Sequence, residues 1–326
     1  MDALSEALRS VQMTGAIFLD VEFTAPWSFQ SPRAQQAAPV LAPGTERIII
    51  YHLITEGTAW VRIAGEPEFP VKAGEIVIIP NGEEHEFGNG RPDTAFDGAA
   101  TLRRHVAGDL NSLRWGGGGP ATKFVCGFMG CERQAGNLFL AGLPTAIRIN
   151  IREDATGAWL ENSIRYLVSE GQLHRPGRNI LLSKMAEALF IETLRCYIRL
   201  LPPEATGWLA GARDPIIGAA LALLHRRPAE HWTIDRLASE VGTSRSVLSD
   251  RFTRYLSEPP LTYLARWRMQ LASRMLQATK NTVLQIGLAV GYESEAAFVR
   301  AFKREFGAPP ARYRKSLAQE RDAASS

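Results

Sequence analysis

The chain has 326 residues, with 37 Lys and Arg against 34 Asp and Glu and a formal net charge of +3. That length exceeds what one hydrophobic core usually serves, so two domains are expected. No apolar run approaches the roughly 20 residues that cross a bilayer, the start MDALSEALRSVQMTG lacks the basic and apolar regions of a signal peptide, and three cysteines (Cys126, Cys131, Cys196) are too few for a disulfide framework, so membrane and secreted classes are set aside for a soluble, cytoplasmic protein.

The charge is unevenly spread. Residues 215–326 carry 3 Lys and 14 Arg against 10 Asp and Glu, a net +7 that leaves −4 for residues 1–214. A basic back third joined to a mildly acidic front points to a polyanion partner for the back and a different partner for the front.

In chain order, the first structured stretch is TERIIIYHLITEGTAWVRIAGEPEFPVKAGEIVIIPNGEEHEFGN, residues 45–89. Short apolar or alternating runs are separated by Glu-Gly, Ala-Gly and Asn-Gly, with Pro70 and Pro80 at the edges. This spacing predicts an antiparallel barrel or double-sheet jelly roll. With HLITEGTAW at 52–60 and AGEIVIIPNGEEH at 73–85, the sequence resembles cupin-type sensor domains. In cupin enzymes two histidines and a glutamate in the first motif, plus a histidine in the second, hold a metal. Here Ile54 stands where a second histidine is wanted, leaving His52, Glu56 and His85 as a thin ligand set. A transition-metal enzyme uses three protein ligands and an open position, so catalysis is not expected. His52, Trp60, His85 and Phe87 are instead candidates to line an effector pocket.

The run RWGGGGP, 114–120, lacks the Gly-Lys-Ser/Thr ending of a phosphate loop and is expected to be a flexible flap. KFVCGFMGC follows, with Cys126 and Cys131 separated by four residues rather than the two of zinc knuckles. A pair of buried thiols is the plain reading. The sharper one is a redox or metal sensor built from Cys126 and Cys131 with His85 or His105, the glycines at 127 and 130 letting the sulfurs approach. A strand at AIRINI precedes expected helices at 156–170 and 178–201. The second has an apolar face (Ile180, Leu181, Met185, Leu189, Phe190, Ile191, Leu194, Ile198) wider than packing on one sheet requires, which suits a dimer contact. PPEATGWLAGAR, 202–213, reads as a linker.

An internal repeat then sets the fold of the back. TIDRLASEVGTSRSVLSDRFTRYL, 233–256, matches TVLQIGLAVGYESEAAFVRAFKREF, 282–306, offset by 49 residues at the start. Each copy opens on a threonine able to cap a helix, turns at Gly242 or Gly291, and resumes at Ser244 or Ser294. Leu248/Phe252 and Phe298/Phe302 form a buried i, i+4 stripe in the second helix of each copy. Two helices around a short glycine turn make a helix-turn-helix. One copy reads more readily as a corner in a helical core, because the pattern is short and degenerate; two copies on a +7 segment favour DNA. Between them Pro259 and Pro260 stop the preceding helix, and Leu261, Leu264, Trp267, Met269, Leu271, Met275 and Leu276 are spaced as in one amphipathic helix that holds the units apart rigidly.

VGTSRSVLSDRF, YLARWRMQLASRML and IGLAVGYESEAAFVRAFKREFGAPPARYR together resemble the DNA-binding domain of AraC/XylS-type transcription regulators over about 100 residues. The resemblance implies that both second helices enter the major groove, with base-facing positions at Ser246, Ser249 and Asp250 and at Glu295, Ala296 and Arg300. Arg300 suits guanine and Glu295 or Asp250 cytosine, whereas the serines read weakly. Asp250 either meets a cytosine amino group or pairs with Arg254 or Arg251, the pairing being preferred. Arg245, Arg254, Lys303, Arg304, Arg312 and Arg314 are candidate phosphate ligands.

The expected architecture is α+β in two domains. Residues 1–201 form a cupin-like antiparallel barrel or jelly roll with flanking helices, and 202–213 link it to an all-α double helix-turn-helix at 214–315 (units about 233–255, spacer helix 260–278, second unit 282–306). Residues 316–326 are expected to be a flexible tail. The expected function is a transcription regulator that binds double-stranded promoter DNA as a homodimer, works with RNA polymerase, and is controlled by a small-molecule or redox signal. No cofactor is expected, and metal at His52/His85 or Cys126/Cys131 is the lesser expectation from the residue types. The alternatives are a metal-dependent cupin enzyme with an accessory helical DNA-binding domain, and a structural DNA-binding protein with a vestigial front.

Overall fold

A computed structural model describes residues 2–9, 13–31, 33–34, 38, 47–92, 96, 112–131, 139–140, 142–153, 156–173 and 175–324. The chain divides into two compact units. One comprises residues 12–132 and 144–200; the other comprises 1–11, 133–143 and 201–326, including the first helix α1 (Ala3–Leu8).

Among the described residues of the first unit ten strands form two sheets: β1 (Met13–Thr24), β2 (Trp27–Ser31), β3 (Arg47–Glu56), β4 (Thr58–Ile63), β5 (Phe69–Lys72), β6 (Glu75–Ile79), β7 (His85–Asn89), β8 (Leu113–Gly116), β9 (Ala121–Cys131) and β10 (Ile147–Asn150). The larger sheet runs β10-β6-β3-β9-β1-β8 and the smaller β2-β7-β4-β5. The double-sheet expectation holds, with departures from a purely antiparallel arrangement: β8 joins β1 in parallel, Val21 opposite Leu113, and Phe29 forms a parallel bridge to Phe96. Between the sheets Phe23, Trp27, Phe29, Phe87 and Phe124 are buried together, with the Trp27 and Phe124 rings stacked at 5.4 Å and the Phe29 and Phe87 rings at 5.7 Å.

The unbroken apolar runs of β3 and β6 follow from burial on both faces of the larger sheet. Ile48, Ile50, Ile54, Val77 and Ile79 belong to the core between the sheets. Ile49, Tyr51, Leu53, Ile76 and Ile78 alternate to the other face and are equally buried. That face is covered by α2 (Gly157–Gly171) and α3 (Arg178–Leu200), which pack on β1, with α3 also on β10. β3 turns into β4 at Gly57, where φ is +76° and a Cβ would stand 2.5 Å from the Ala121 carbonyl oxygen, so only glycine fits.

The glycine run at 114–120 is not a free flap. Residues 113–116 are β8, and the amides of Gly117 and Gly119 donate to the carbonyls of Thr24 and Ala25 at 2.8 and 2.9 Å while the Gly118 amide donates to Thr24 Oγ1. Backbone amides without side chains can lie this close to the β1–β2 corner, which pins the run.

The second unit is helical: α4 (Trp208–Arg213), α5 (Pro215–Arg226), α6 (Ile234–Glu240), α7 (Arg245–Leu256), α8 (Pro260–Ala278), α9 (Val283–Ala289), α10 (Glu295–Phe306) and α11 (Pro310–Ala324). Thr233 and Ser244 cap α6 and α7 through the amides of Arg236 and Val247. Thr282 forms a capping box with Gln285, and Ser294 caps α10 through the Ala297 amide. Leu248, Phe252, Phe298 and Phe302 are fully buried. At Gly291 φ is +89° and a Cβ would meet the Ala229 carbonyl oxygen at 2.7 Å, so the turn between α9 and α10 requires glycine. Two expected irregular segments are helical. Within 202–213, α4 folds in because Trp208, Leu209 and Ala210 have buried positions to fill, and α11 carries the backbone helix through Ala324.

Candidate nucleic-acid interface and sensor core

The buried stripe fixes what each second helix exposes. Leu248 and Phe252 of α7 point inward, so Arg245, Ser246, Asp250 and Arg254 are exposed and Ser249 is half-buried. Phe298 and Phe302 of α10 do the same for Glu295, Ala296, Arg300, Lys303 and Arg304. Aligning the two stripes places Arg245 at the position of Glu295, Ser246 at that of Ala296, Asp250 at that of Arg300 and Arg254 at that of Arg304. Each helix thus presents two residues in its first turn and one a turn later, as base reading by the N-terminal part of a recognition helix needs.

The cations divide by their partners. Arg254, Lys303, Arg304 and Arg312 are exposed, and Arg245 lies 3.8 Å from Asp235 in a pair more than two-thirds exposed on both sides, which solvent screens heavily. Arg314 departs from the expected phosphate role. Its Nε donates to the Leu276 carbonyl at 3.2 Å and its Nη2 to that of Asn281 at 2.6 Å, so the guanidinium closes the end of α8. The preferred pairing of Asp250 is also overturned. Arg251 points away from it and binds the buried carboxylate of Asp214, Arg254 lies over the Tyr255 ring at 5.8 Å, and Asp250 makes no ion pair among the described residues. Its carboxylate is left facing outward, available to a cytosine amino group.

Two residues in this unit carry roles the sequence reading missed. Asp214 caps α5 by accepting from the amides of Ile216 and Ile217, both at 3.0 Å, while holding Arg251 of α7. Asp before Pro at a helix start was the available signal. Arg268 of α8 donates to the carbonyls of Pro228 at 2.7 Å, Glu230 at 2.8 Å and Gly291 at 3.3 Å, fastening the second turn to the loop after α5. Half-burial lowers its pKa, yet three carbonyl partners satisfy the fork.

In the first unit β3, β7 and β9 bring His52, His85 and Cys126 together. His85 Nδ1 lies 2.9 Å from the Glu83 carbonyl oxygen, His52 Nε2 is 3.0 Å from His85 Nε2, and His52 Nδ1 is 2.9 Å from Cys126 Sγ. A carbonyl only accepts, so His85 carries its proton on Nδ1 and accepts at Nε2. His52 then donates from Nε2 and accepts the Cys126 thiol proton at Nδ1, and every proton in the chain has one place. Burial favours these neutral forms: it holds His85 at about 4, drives His52 well below the ordinary histidine value with help from the neighbouring His85, and pushes the Cys126 thiol far up. Phe87 packs on His52 with centroids 4.4 Å apart.

Trp60 does not share this core. It lies on the opposite face of β4 from Val61, over Gly88, and its Nε1 donates to Gly90. Glu56 is likewise elsewhere, paired with Lys123 at 2.9 Å on the surface. The two imidazoles face each other rather than a common point, and no group of three metal-ligating side chains occurs among the described residues. The arrangement therefore does not fit the metal that the cupin motif implies in enzymes. Nor do Cys126 and Cys131 form a pair: both lie on β9, opposite His52 and Arg47 of β3 respectively, and five residue steps along the strand separate their Cα atoms by about 16 Å, beyond the roughly 7 Å limit for a disulfide. His105 lies outside the described residues.

Residues 2–199 match a family model described as a cupin, and residues 237–316 match one described as a helix-turn-helix domain. The chain is 30% identical over 320 residues to the HTH-type transcriptional regulator AlkR of Acinetobacter baylyi, covering 96% of this chain and 99% of that one. It is 27% identical to the RCS-specific HTH-type transcriptional activator RclR of Escherichia coli, covering 98% and 99%. Among solved structures, an AraC-type DNA-binding-domain regulator from Chromobacterium violaceum is 33% identical over 34% of this chain and 97% of its own, with a TM-score of 0.32. No described helix is long and apolar enough to cross a membrane. A cupin domain over the front three-fifths, a helix-turn-helix domain behind it, and relatives aligned end to end place the chain in the family of AraC-type transcription regulators with an N-terminal cupin domain.

Proposed function

We propose that this regulator acts in the cytoplasm as a homodimer, reads promoter DNA with α7 and α10, and is switched by a small-molecule or redox signal at the His52–His85–Cys126 core. The observation that carries the reading of DNA is the repeated presentation of exposed polar side chains around two buried stripes. The observation that supports sensing is the thiol-imidazole-imidazole chain sealed in the cupin core, since buried polar chains with every proton placed are sensitive to the loss of one donor. Oxidation of Cys126 to sulfenic acid by a peroxide, with release of water, proceeds through the thiolate, which burial disfavours here, so it requires the site to open. The added oxygen would then crowd a close-packed site and disturb the donor to His52. Ile180, Leu181, Trp159 and Tyr166 are exposed apolar side chains on α2 and α3 and support a dimer contact there. RNA polymerase is the partner that regulation of transcription calls for.

Affinity for a selected DNA site, measured with and without one equivalent of hydrogen peroxide, tests the redox form of the signal. Wild type and Cys131→Ser are expected to shift together while Cys126→Ser stays fixed. A shift that Cys126→Ser retains contradicts the assignment.

A further inference from the structure

The two helix-turn-helix copies are joined by more than the helix between them. The loop 227–232 leads into α6 of the first copy, and the turn at 290–293 leads into α10 of the second. At Gly291 a Cβ would stand 2.8 Å from the Ala229 Cα as well as 2.7 Å from its carbonyl oxygen, so the backbones of loop and turn lie in contact. Arg268 of α8 reaches both. Its Nε and Nη2 donate to the carbonyls of Pro228 at 2.7 Å and Glu230 at 2.8 Å on the loop, and its Nη1 donates to the Gly291 carbonyl at 3.3 Å on the turn. A planar guanidinium, with five donors in a fixed fork, can hold three carbonyls in one arrangement where a lysine could not.

Each side of this clamp is tied to its own reading helix. On the loop side Arg236 of α6 pairs with Glu230 and donates to the His231 carbonyl at 3.2 Å, Arg227 pairs with Glu240 at the end of α6 at 3.3 Å, and α6 packs on α7. On the turn side the Tyr292 amide donates to the Gly287 carbonyl at 2.9 Å, the Tyr292 ring meets Phe298, the inward side chain of α10, at 5.7 Å, and Ser294 caps α10. His231 and Glu293 also meet across loop and turn at 3.7 Å, but both are more than three-quarters exposed and solvent screens the pair.

We propose that Arg268 sets the spacing at which the two halves of a DNA site are accepted, as a positioning residue that fixes the turn before α10 against the loop before α6. The proposal rests on α7 and α10 being the DNA readers. A half-site one base pair further along the duplex lies about 3.4 Å away and is rotated by about 34°, so two helices held at one separation cannot follow it together. Without the guanidinium the copies remain joined by α8 and by the contact of Gly291 with Ala229, and the turn is free to shift against the loop.

The test uses the full-length protein, a duplex carrying a selected two-part site, and the same duplex with one base pair inserted or deleted between the parts. For wild type either change is expected to weaken binding about a hundredfold, the loss of roughly two base contacts. For Arg268→Ala the ratio of affinities between the selected and the altered duplexes is expected to fall to about tenfold or less. General destabilisation lowers all three affinities in proportion and leaves the ratio where it was, so an unchanged or larger ratio overturns the proposal. If Arg268→Ala does not fold, Arg268→Lys serves, since an ammonium keeps the charge but cannot hold three carbonyls at once; its ratio is expected to lie between the other two, and a wild-type ratio again overturns the clamp. Wild type that binds all three duplexes equally well also overturns it. If selection yields no two-part site, the DNA-reading assignment itself is wrong, a result distinguishable from failure of the clamp alone.

Discussion

Arg251 of the first reading helix grips the buried carboxylate of Asp214, the residue that caps α5. One side chain thus ends one helix and holds another in place. α10 is tied differently: its Glu305 lies 3.8 Å from Arg266 of α8, and Arg268 of α8 fastens the turn at Gly291. The two helix-turn-helix units repeat in sequence but are anchored differently.

Asp214→Ala is expected to destabilise the protein by about 2 kcal/mol, combining a lost cap with an unpaired guanidinium. Asp214→Asn, which still accepts from the amides of Ile216 and Ile217, is expected to lose less. Denaturant titration of both variants measures the difference, and equal stability of the two would place the whole effect in the ion pair.

Lys303 and Arg314 separate a phosphate ligand from a structural cation. Lys303→Ala is expected to weaken all DNA sequences alike and to lower the salt slope by about one. Arg314→Ala, which frees the carbonyls of Leu276 and Asn281, is expected to leave the salt slope unchanged and to reduce thermal stability. Affinity measured from low to moderate salt for both variants checks the pair, and a lower slope for Arg314→Ala would return it to the backbone ligands.

Acid weakens the fold through buried imidazoles. In the unfolded chain each histidine takes a proton near 6.5, whereas burial holds His85 at about 4 and His225 at about 3. The unfolded state binds more protons across that interval, so the contribution is fully present above about pH 6.5 and falls as pH drops towards 4, by up to about 1.4 kcal/mol per pH unit for each group. Denaturation midpoints are expected to be flat from pH 8 to 7 and to decline below 6.5, with a shallower decline in His85→Gln. An unchanged slope in that variant would remove His85 from the account.

Much of this was legible in the sequence, for physical reasons that can be named. The threonine and serine caps, the turn glycines at 242 and 291 and the i, i+4 stripes are local signals, and the structure places each where its chemistry requires. The alternation of β4 likewise tells its two faces apart, and Trp60, one residue from buried Val61, could have been read onto the outer face. What the sequence concealed were long-range relationships. Arg251 sits beside Asp250 in sequence but points to Asp214, 37 residues away. The thiol-imidazole chain joins three strands from positions 52, 85 and 126. Cys126 and Cys131 look like a pair until the strand that carries both spaces them apart.

The most direct test of the central claim is selection of duplexes from a random pool by the purified full-length protein, repeated with Arg300→Ala. The account predicts a site with two conserved segments about one helical turn apart, and a guanine preference in one of them that Arg300→Ala relaxes at a cost of roughly 1 to 3 kcal/mol. Recovery of no consensus, or of the same consensus from wild type and variant, would contradict it.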